Sequence, residues 1–293
     1  MVKINSVKKK NYPLYFLVPG ILVFVIFFII PFLIAFGYSF TNWNFRKADF
    51  IGLTNYINIL KDPNMNIAFV NTFLFTIITT VLKMVLGLIL AVFLNRKFML
   101  TNYLRTVFYL PAVISTVAVG IAFTALMHPS KGLINIVLNS IGLEALAQNW
   151  LTDPNIAIYS VCMIEIWKWT GYTMMILLAG MQSVSQDYYE AAEIDGATGW
   201  QKFRYVTFPL IRPSFNNCLI LNIIGGLKVF DIVLATTGGG PGISTQVFNS
   251  VIYRSFSYNM QGEASAGTVI LASIVLVITL FTYRIITKKE AEI

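Results

Sequence analysis

An all-α integral membrane protein with six spanning helices is the fold class that this sequence predicts, and three observations predict it. Of the 293 residues, 57% are hydrophobic and only 12% charged, with a mean hydropathy of +0.72; too little polar surface is left to wrap a soluble globule. Six stretches, 14–36, 69–94, 106–127, 156–180, 214–235 and 264–286, carry the roughly 20 mainly apolar residues that a helix needs to cross about 30 Å of hydrocarbon. The third observation is the uneven distribution of lysine and arginine over the connections between these stretches.

The first stretch follows Lys8, Lys9 and Lys10, as a secretory signal core does. Such a core is only about 7 to 15 residues long and ends at a small-residue cleavage site. This one is longer and ends in bulky residues, so a retained span is expected. The third and sixth stretches are the cleanest; the second, fourth and fifth carry internal charges, Lys83, Glu165 with Lys168, and Lys228 with Asp231. With both termini in the cytoplasm, Lys3, Lys8, Lys9, Lys10, Arg96, Lys97, Arg105, Lys202, Arg204, Arg212, Arg284, Lys288 and Lys289 lie inside. Only Arg46, Lys47, Lys61, Lys131 and Arg254 lie outside, and thirteen against five supports that orientation. The net charge of +8 is then the positive-inside bias, and no nucleic-acid partner is needed to account for it. The expected organisation is a cytoplasmic tail over 1–13, a transmembrane domain over 14–287 with a cytoplasmic loop at 181–212, and a second tail over 288–293. Cys162 and Cys218 both fall within spans, which excludes a disulfide framework, and no metal site is expected. The single histidine, His128, sits beside Pro129 in an outside loop and reads as structural.

The 181–212 connection is too polar to lie in the membrane and must face water or a partner. Ser185 can cap a short helix with Asp187 in its first turn, favoured by the positive end of the helix dipole. Gly196 is placed to end that helix in a left-handed conformation. Gly199 allows a second turn, and residues 200–208 can form a second short helix that stops before Pro209. Within the first helix, small Ala191 and Ala192 lie between acidic Glu190 and Glu193. That pattern suits a docking element whose carboxylate meets an arginine, and it equally suits an ordinary amphipathic surface helix. Residues 237–242, "TGGGPG", form a turn cluster and not a phosphate loop, because no lysine followed by serine or threonine stands at the required spacing.

The stretch "EAAEIDGATGWQKFRYVTFP" resembles the EAA loop of ABC importer membrane subunits, in which Glu-Ala-Ala is followed after three residues by glycine and after nine more by Ile-x-Leu-Pro. Glu190, Ala191, Ala192, Gly196 and Pro209 match at that spacing, and Val206 and Phe208 replace the aliphatic pair. "GLTNYINIL" from Gly52, "LPAVIS" from Leu110, "GLINIVL" from Gly132, "IWKWTGYTMMILLAGMQSV" from Ile166 and "TGGGPGISTQ" from Thr237 are similar, in this order, to the MalF-like, carbohydrate-uptake branch. The resemblance implies type I ABC importer permease architecture in a prokaryotic cytoplasmic membrane. It also implies a second permease subunit, two ATPase subunits that use ATP and Mg, and an extracellular solute-binding protein. This chain would bind no cofactor, and its loop would be the coupling helix seated in an ATPase cleft, with Glu190 meeting a basic group there.

Ionisable residues inside spans are candidates for function because their desolvation is costly. Glu165 and Lys168 stand three apart, as do Lys228 and Asp231, so each pair can neutralise itself locally; Lys83 has no local partner. Glu165, Trp169 and Tyr172 follow i, i+4, i+7 spacing and share one face of the fourth span, and Asn222, Gly226 and Val229 repeat that spacing on the fifth. Acceptors beside aromatic rings suit a sugar, which presents hydroxyls and apolar C–H faces, with Asn222 to hydrogen-bond and Gly226 to leave room. In the related maltose permease the substrate contacts come from the corresponding spans, with different side chains. Bundle packing accounts for any single one of these residues equally well. A polyol or sugar phosphate stays open as cargo. A proton-coupled secondary transporter using Glu165 or Asp231 leaves the EAA loop unexplained, and an intramembrane enzyme lacks a reactive cluster.

Overall fold

The computed structural model describes residues 14–96 and 98–288. The expected tails lie outside these residues, apart from Lys288 at the end of the last helix, and so do Lys3, Lys8, Lys9, Lys10, Lys97 and Lys289. The helices, in chain order, are α1 (Tyr15–Tyr38), α2 (Thr54–Lys61), α3 (Pro63–Leu94), α4 (Thr101–Val113), α5 (Thr116–Leu126), α6 (Leu133–Ser140), α7 (Ala157–Gln182), α8 (Gln186–Ile194), α9 (199–210), α10 (Arg212–Leu227), α11 (Asp231–Thr236), α12 (Phe248–Ser257) and α13 (Gln261–Lys288). Among the described residues, strand pairing is confined to an isolated bridge between Thr41 and Phe50.

Helices α1, α3 and α13 are long and apolar enough to cross a membrane as single pieces. The first is unburied over its whole apolar window and apolar all round, as suits a helix that meets lipid or another subunit. Helix α3 begins at Pro63, six residues before the hydropathy pattern starts. Asp62 caps it by accepting a hydrogen bond from the Asn64 amide, and Pro63 sits at the first position, where its missing N–H costs nothing.

The third expected span is not one helix, although its sequence reads as one of the cleanest. It breaks at Ile114–Ser115 into α4 and α5, bent by 95°. Pro111 lies in the last turn of α4 and removes a backbone donor there, and Ile114 is extended (φ −70°, ψ 141°). The fifth span is also interrupted, at 228–230, between α10 and α11. Val229 therefore leaves the helical register that places Asn222 and Gly226 on one face. Helix α7 has the length, 26 residues, and carries its polar groups inside the bundle, shielded by α3, α4 and α10.

The bundle is built on α3 against α7, with α10 closing one side and α4 the other. One apolar cluster, with Met84, Leu94, Leu177, Met181, Ile211 and Cys218, fills the end that carries α8 and α9. A second, with Phe75, Val161, Ile164 and Ile232, joins α3, α7 and α11 to Met127 and Leu151 in the connections that follow α5 and α6. A third joins α2, α12 and α13 to the start of α3. Without strong hydrophobic drive between helices in lipid, close approach of small residues does much of the packing. Gly226 lets α10 reach α3 so closely that a Cβ there would stand 2.8 Å from Thr76 Cα.

The 181–212 loop folds as two short helices. Ser185 caps α8 by accepting from the Asp187 amide, and Gly196 follows at φ +75°. The second helix does not stop before Pro209 as expected, but runs on to Leu210. A wider π turn over Phe203–Thr207 absorbs the proline, whose nitrogen has no hydrogen to donate. His128 takes a structural part, its Nδ1 accepting from the amides of Ser130 and Lys131 at 3.3 and 3.2 Å.

Candidate functional site

A cavity of about 530 Å³ opens between α7, α10 and the two helix breaks. Glu165, Trp169, Tyr172, Asn222 and Val229 all line it, together with Lys83, Thr116, Lys228, Phe230 and Asp231. The i, i+4, i+7 spacing on α7 puts its three residues on one wall, and Asn222 faces them from α10. Gly226 is not part of the lining. It is buried against Thr76, and its function in the fold is close helix contact, not the provision of space.

The charges inside the bundle are arranged differently from the local pairing that sequence spacing suggests. Glu165 pairs across helices with Lys83 of α3, Oε1 to Nζ 3.6 Å, with side chains 11% and 3% exposed. Lys168 turns instead to the carbonyl oxygens of Pro111, Ala112 and Ile114. The reason is local demand: the broken end of α4 offers unpaired carbonyls within reach of Lys168, and Lys83 has no carboxylate on its own helix. The break at 228–230 separates Lys228 from Asp231, and both are exposed to the cavity.

Asn222 directs its Nδ2 to Cys218 O at 3.0 Å and Thr173 Oγ1 at 3.2 Å, which leaves its Oδ1 acceptor for the cavity. Trp169 and Tyr172 pack edge to face, with ring centroids 5.8 Å apart at 87°. The wall thus offers carboxylate and amide oxygens, two ammonium groups and aromatic rings. Spacing along one helix could not identify Thr116 or Phe230, since both enter the wall only through the breaks. The proline of "LPAVIS" is the one sequence signal for the first of them.

The loop residues lie together at the far end of α7. Glu190, Ala191 and Gly196 are exposed, Ala192 and Pro209 half-buried. Glu193 is engaged by Lys202 Nζ at 2.6 Å, and Tyr189 Oη meets Thr207 Oγ1 at 3.1 Å. These two contacts tie α8 to α9, while Glu190 makes no ion pair among the described residues.

Residues 83–290 match the family described as the binding-protein-dependent transport system inner membrane component. The chain belongs to that family. It is therefore a membrane-embedded transport component, with the helical architecture of ABC importer permeases. It is 36% identical over 278 residues to the probable ABC transporter permease protein YurN of Bacillus subtilis, covering 93% of this chain and 94% of that protein. It is 33% identical over 279 residues to the probable starch degradation products transport system permease protein AmyD of Thermoanaerobacterium thermosulfurigenes, covering 94% of each. Among solved structures, a bacterial alginate ABC transporter in complex with an alginate pentasaccharide-bound periplasmic protein superposes with a TM-score of 0.82 at 26% identity, covering 94% of both chains.

Proposed function

We propose that this chain is the permease subunit of an ATP-driven importer that carries a saccharide across a prokaryotic cytoplasmic membrane. The cavity is the observation that carries the reading. Glu165 and Asn222 supply acceptor oxygens for hydroxyl groups, and Trp169 and Tyr172 supply faces and edges for the C–H surface of a sugar ring. A relative named for the transport of starch degradation products and a similar solved structure of a transporter involved in alginate import support the same substrate class.

The working complex contains a second permease, two ATPase subunits that bind ATP and Mg, and an extracellular binding protein that delivers the solute. Both termini and the 181–212 loop face the cytoplasm. Glu190, Ala191, Ala192, Gly196 and Pro209 form the coupling element: the small residues admit a close partner surface, and the Glu190 carboxylate is free to take a charge-assisted bond from a basic group. Because α8 and α9 are tied to each other by Glu193–Lys202 and Tyr189–Thr207, closure of the ATPase pair moves them as a unit. That displacement reaches the cavity through α7 and α10, which flank the loop, and exchanges inward-open for outward-open states.

The test is saccharide-stimulated ATPase activity of the purified complex with its binding protein in liposomes, across a panel of mono- and oligosaccharides. At least one member is expected to stimulate. Trp169→Ala is expected to cut that stimulation about tenfold, the scale of an aromatic contact with its buried area, with the subunits still assembled. Stimulation by amino acids or peptides alone would overturn the saccharide reading.

A further inference from the structure

Lys168 is 1% exposed, lies inside a span and does not face the cavity. Its Nζ donates to the carbonyl oxygens of Pro111 at 3.3 Å, Ala112 at 3.3 Å and Ile114 at 2.5 Å. An ammonium has three N–H donors, and three acceptors meet them. The first two are carbonyls of the last turn of α4 and the third belongs to the extended residue that ends it, all left without helical partners because α5 starts on an axis 95° away. In apolar surroundings such carbonyls must be satisfied by protein, and a cation is favoured at a helix C-terminus. Close contact supports the same joint. Gly171 brings α7 so near to α4 that a Cβ would collide with the Phe108 carbonyl oxygen.

We propose that Lys168 is a positioning residue: its ammonium pins the broken span onto α7 and so sets the places of Thr116 and Trp169 in the cavity wall. Thr116 is the first residue of α5 after the break, and the Trp169 ring centroid lies 4.8 Å from Lys168 Nζ. Glu165 does not compete for this ammonium, being held by Lys83. The geometric part of the inference stands on the joint alone; only its consequence for transport rests on reading the cavity as a saccharide passage.

The test uses the assembled complex with spin labels on cysteines introduced at Val107 in α4 and Ile121 in α5, both exposed, in a chain whose native cysteines are buried. The unaltered chain is expected to give one narrow distance distribution. Lys168→Met keeps most of the length of the side chain and removes its donors. Loss of even one charge-assisted bond is enough to raise the population of a rearranged joint about tenfold, seen as a second or broadened distance. Lys168→Arg, which retains charge and donors, is expected to restore the narrow distribution. If the Met variant does not reach the membrane, Lys168→Gln carries the comparison with the same expected direction. An unchanged distribution in the Met or Gln variant, or Arg and Met variants that behave alike, overturns the inference. Saccharide-stimulated ATPase activity is read on the same samples. An altered joint in a complex that no saccharide stimulates counts against the proposed substrate and leaves the pinning role standing.

Discussion

The ion pair between Lys83 and Glu165 allows a sharp energetic prediction. At 3.6 Å, Coulomb attraction at an effective dielectric of about 20 is worth about 4 to 5 kcal/mol. That gain offsets a desolvation cost of several kcal/mol for each ion. Lys83→Met leaves a carboxylate enclosed without its counter-charge, and Glu165→Gln leaves an ammonium in the same condition. Each single change is therefore expected to destabilise the subunit by about 3 to 5 kcal/mol. The double variant removes both charges and keeps similar volume, so it is expected to be more stable than either single variant. The assay is a double-mutant cycle on the purified complex, read as unfolding free energy in a denaturing detergent titration. Additive losses in the double variant would refute the claim that these groups act as a pair. Transport separates from stability here: the double variant exchanges the Glu165 carboxylate for an amide, which keeps one acceptor oxygen and loses the charge, so it is expected to assemble and to respond more weakly to saccharide.

Three other outcomes follow from the geometry. Glu190→Lys is expected to release the ATPase from the membrane complex with insertion intact, checked by co-purification, whereas Glu193→Gln, at a carboxylate already held by Lys202, is expected to retain it. Gly226→Val places a branched side chain against the Thr76 backbone and is expected to lower thermal stability by about 1 to 3 kcal/mol or more, with Gly225→Val, where a Cβ meets nothing within 4 Å, as the milder control. Asp62→Ala removes the cap of α3 and is expected to cost about 1 kcal/mol, seen as faster amide exchange over the first turn of that helix.

Local chemistry made much of this structure legible in advance. The Ser185 cap, Asp187 in the first turn and the positive φ of Gly196 each depend on residues within a few positions of one another, and all three were readable. The start of α3 was readable in principle from Asp62 and Pro63, but a hydropathy pattern does not register a polar first turn. Periodicity along α7 grouped Glu165, Trp169 and Tyr172 on one wall because that helix is regular. It failed for Gly226, which packs against Thr76 and does not line the cavity, and Val229 reaches the wall only because α10 has ended before it. The partners of Lys83 and Lys168 were not legible, since both contacts join segments more than fifty residues apart. The 95° bend was masked by a clean apolar run: a buried lysine supplies from α7 what the broken backbone lacks, and hydropathy does not encode a contact between spans.

Affinity purification of the chain from its native membrane in mild detergent, with mass spectrometry of what accompanies it and an ATP-dependence test in liposomes, decides whether it works as the permease subunit of an ATP-driven importer. A second permease and an ATPase are expected in the purified material, with solute uptake only in the presence of ATP. A chain that comes through alone and still carries solute without ATP would contradict that role.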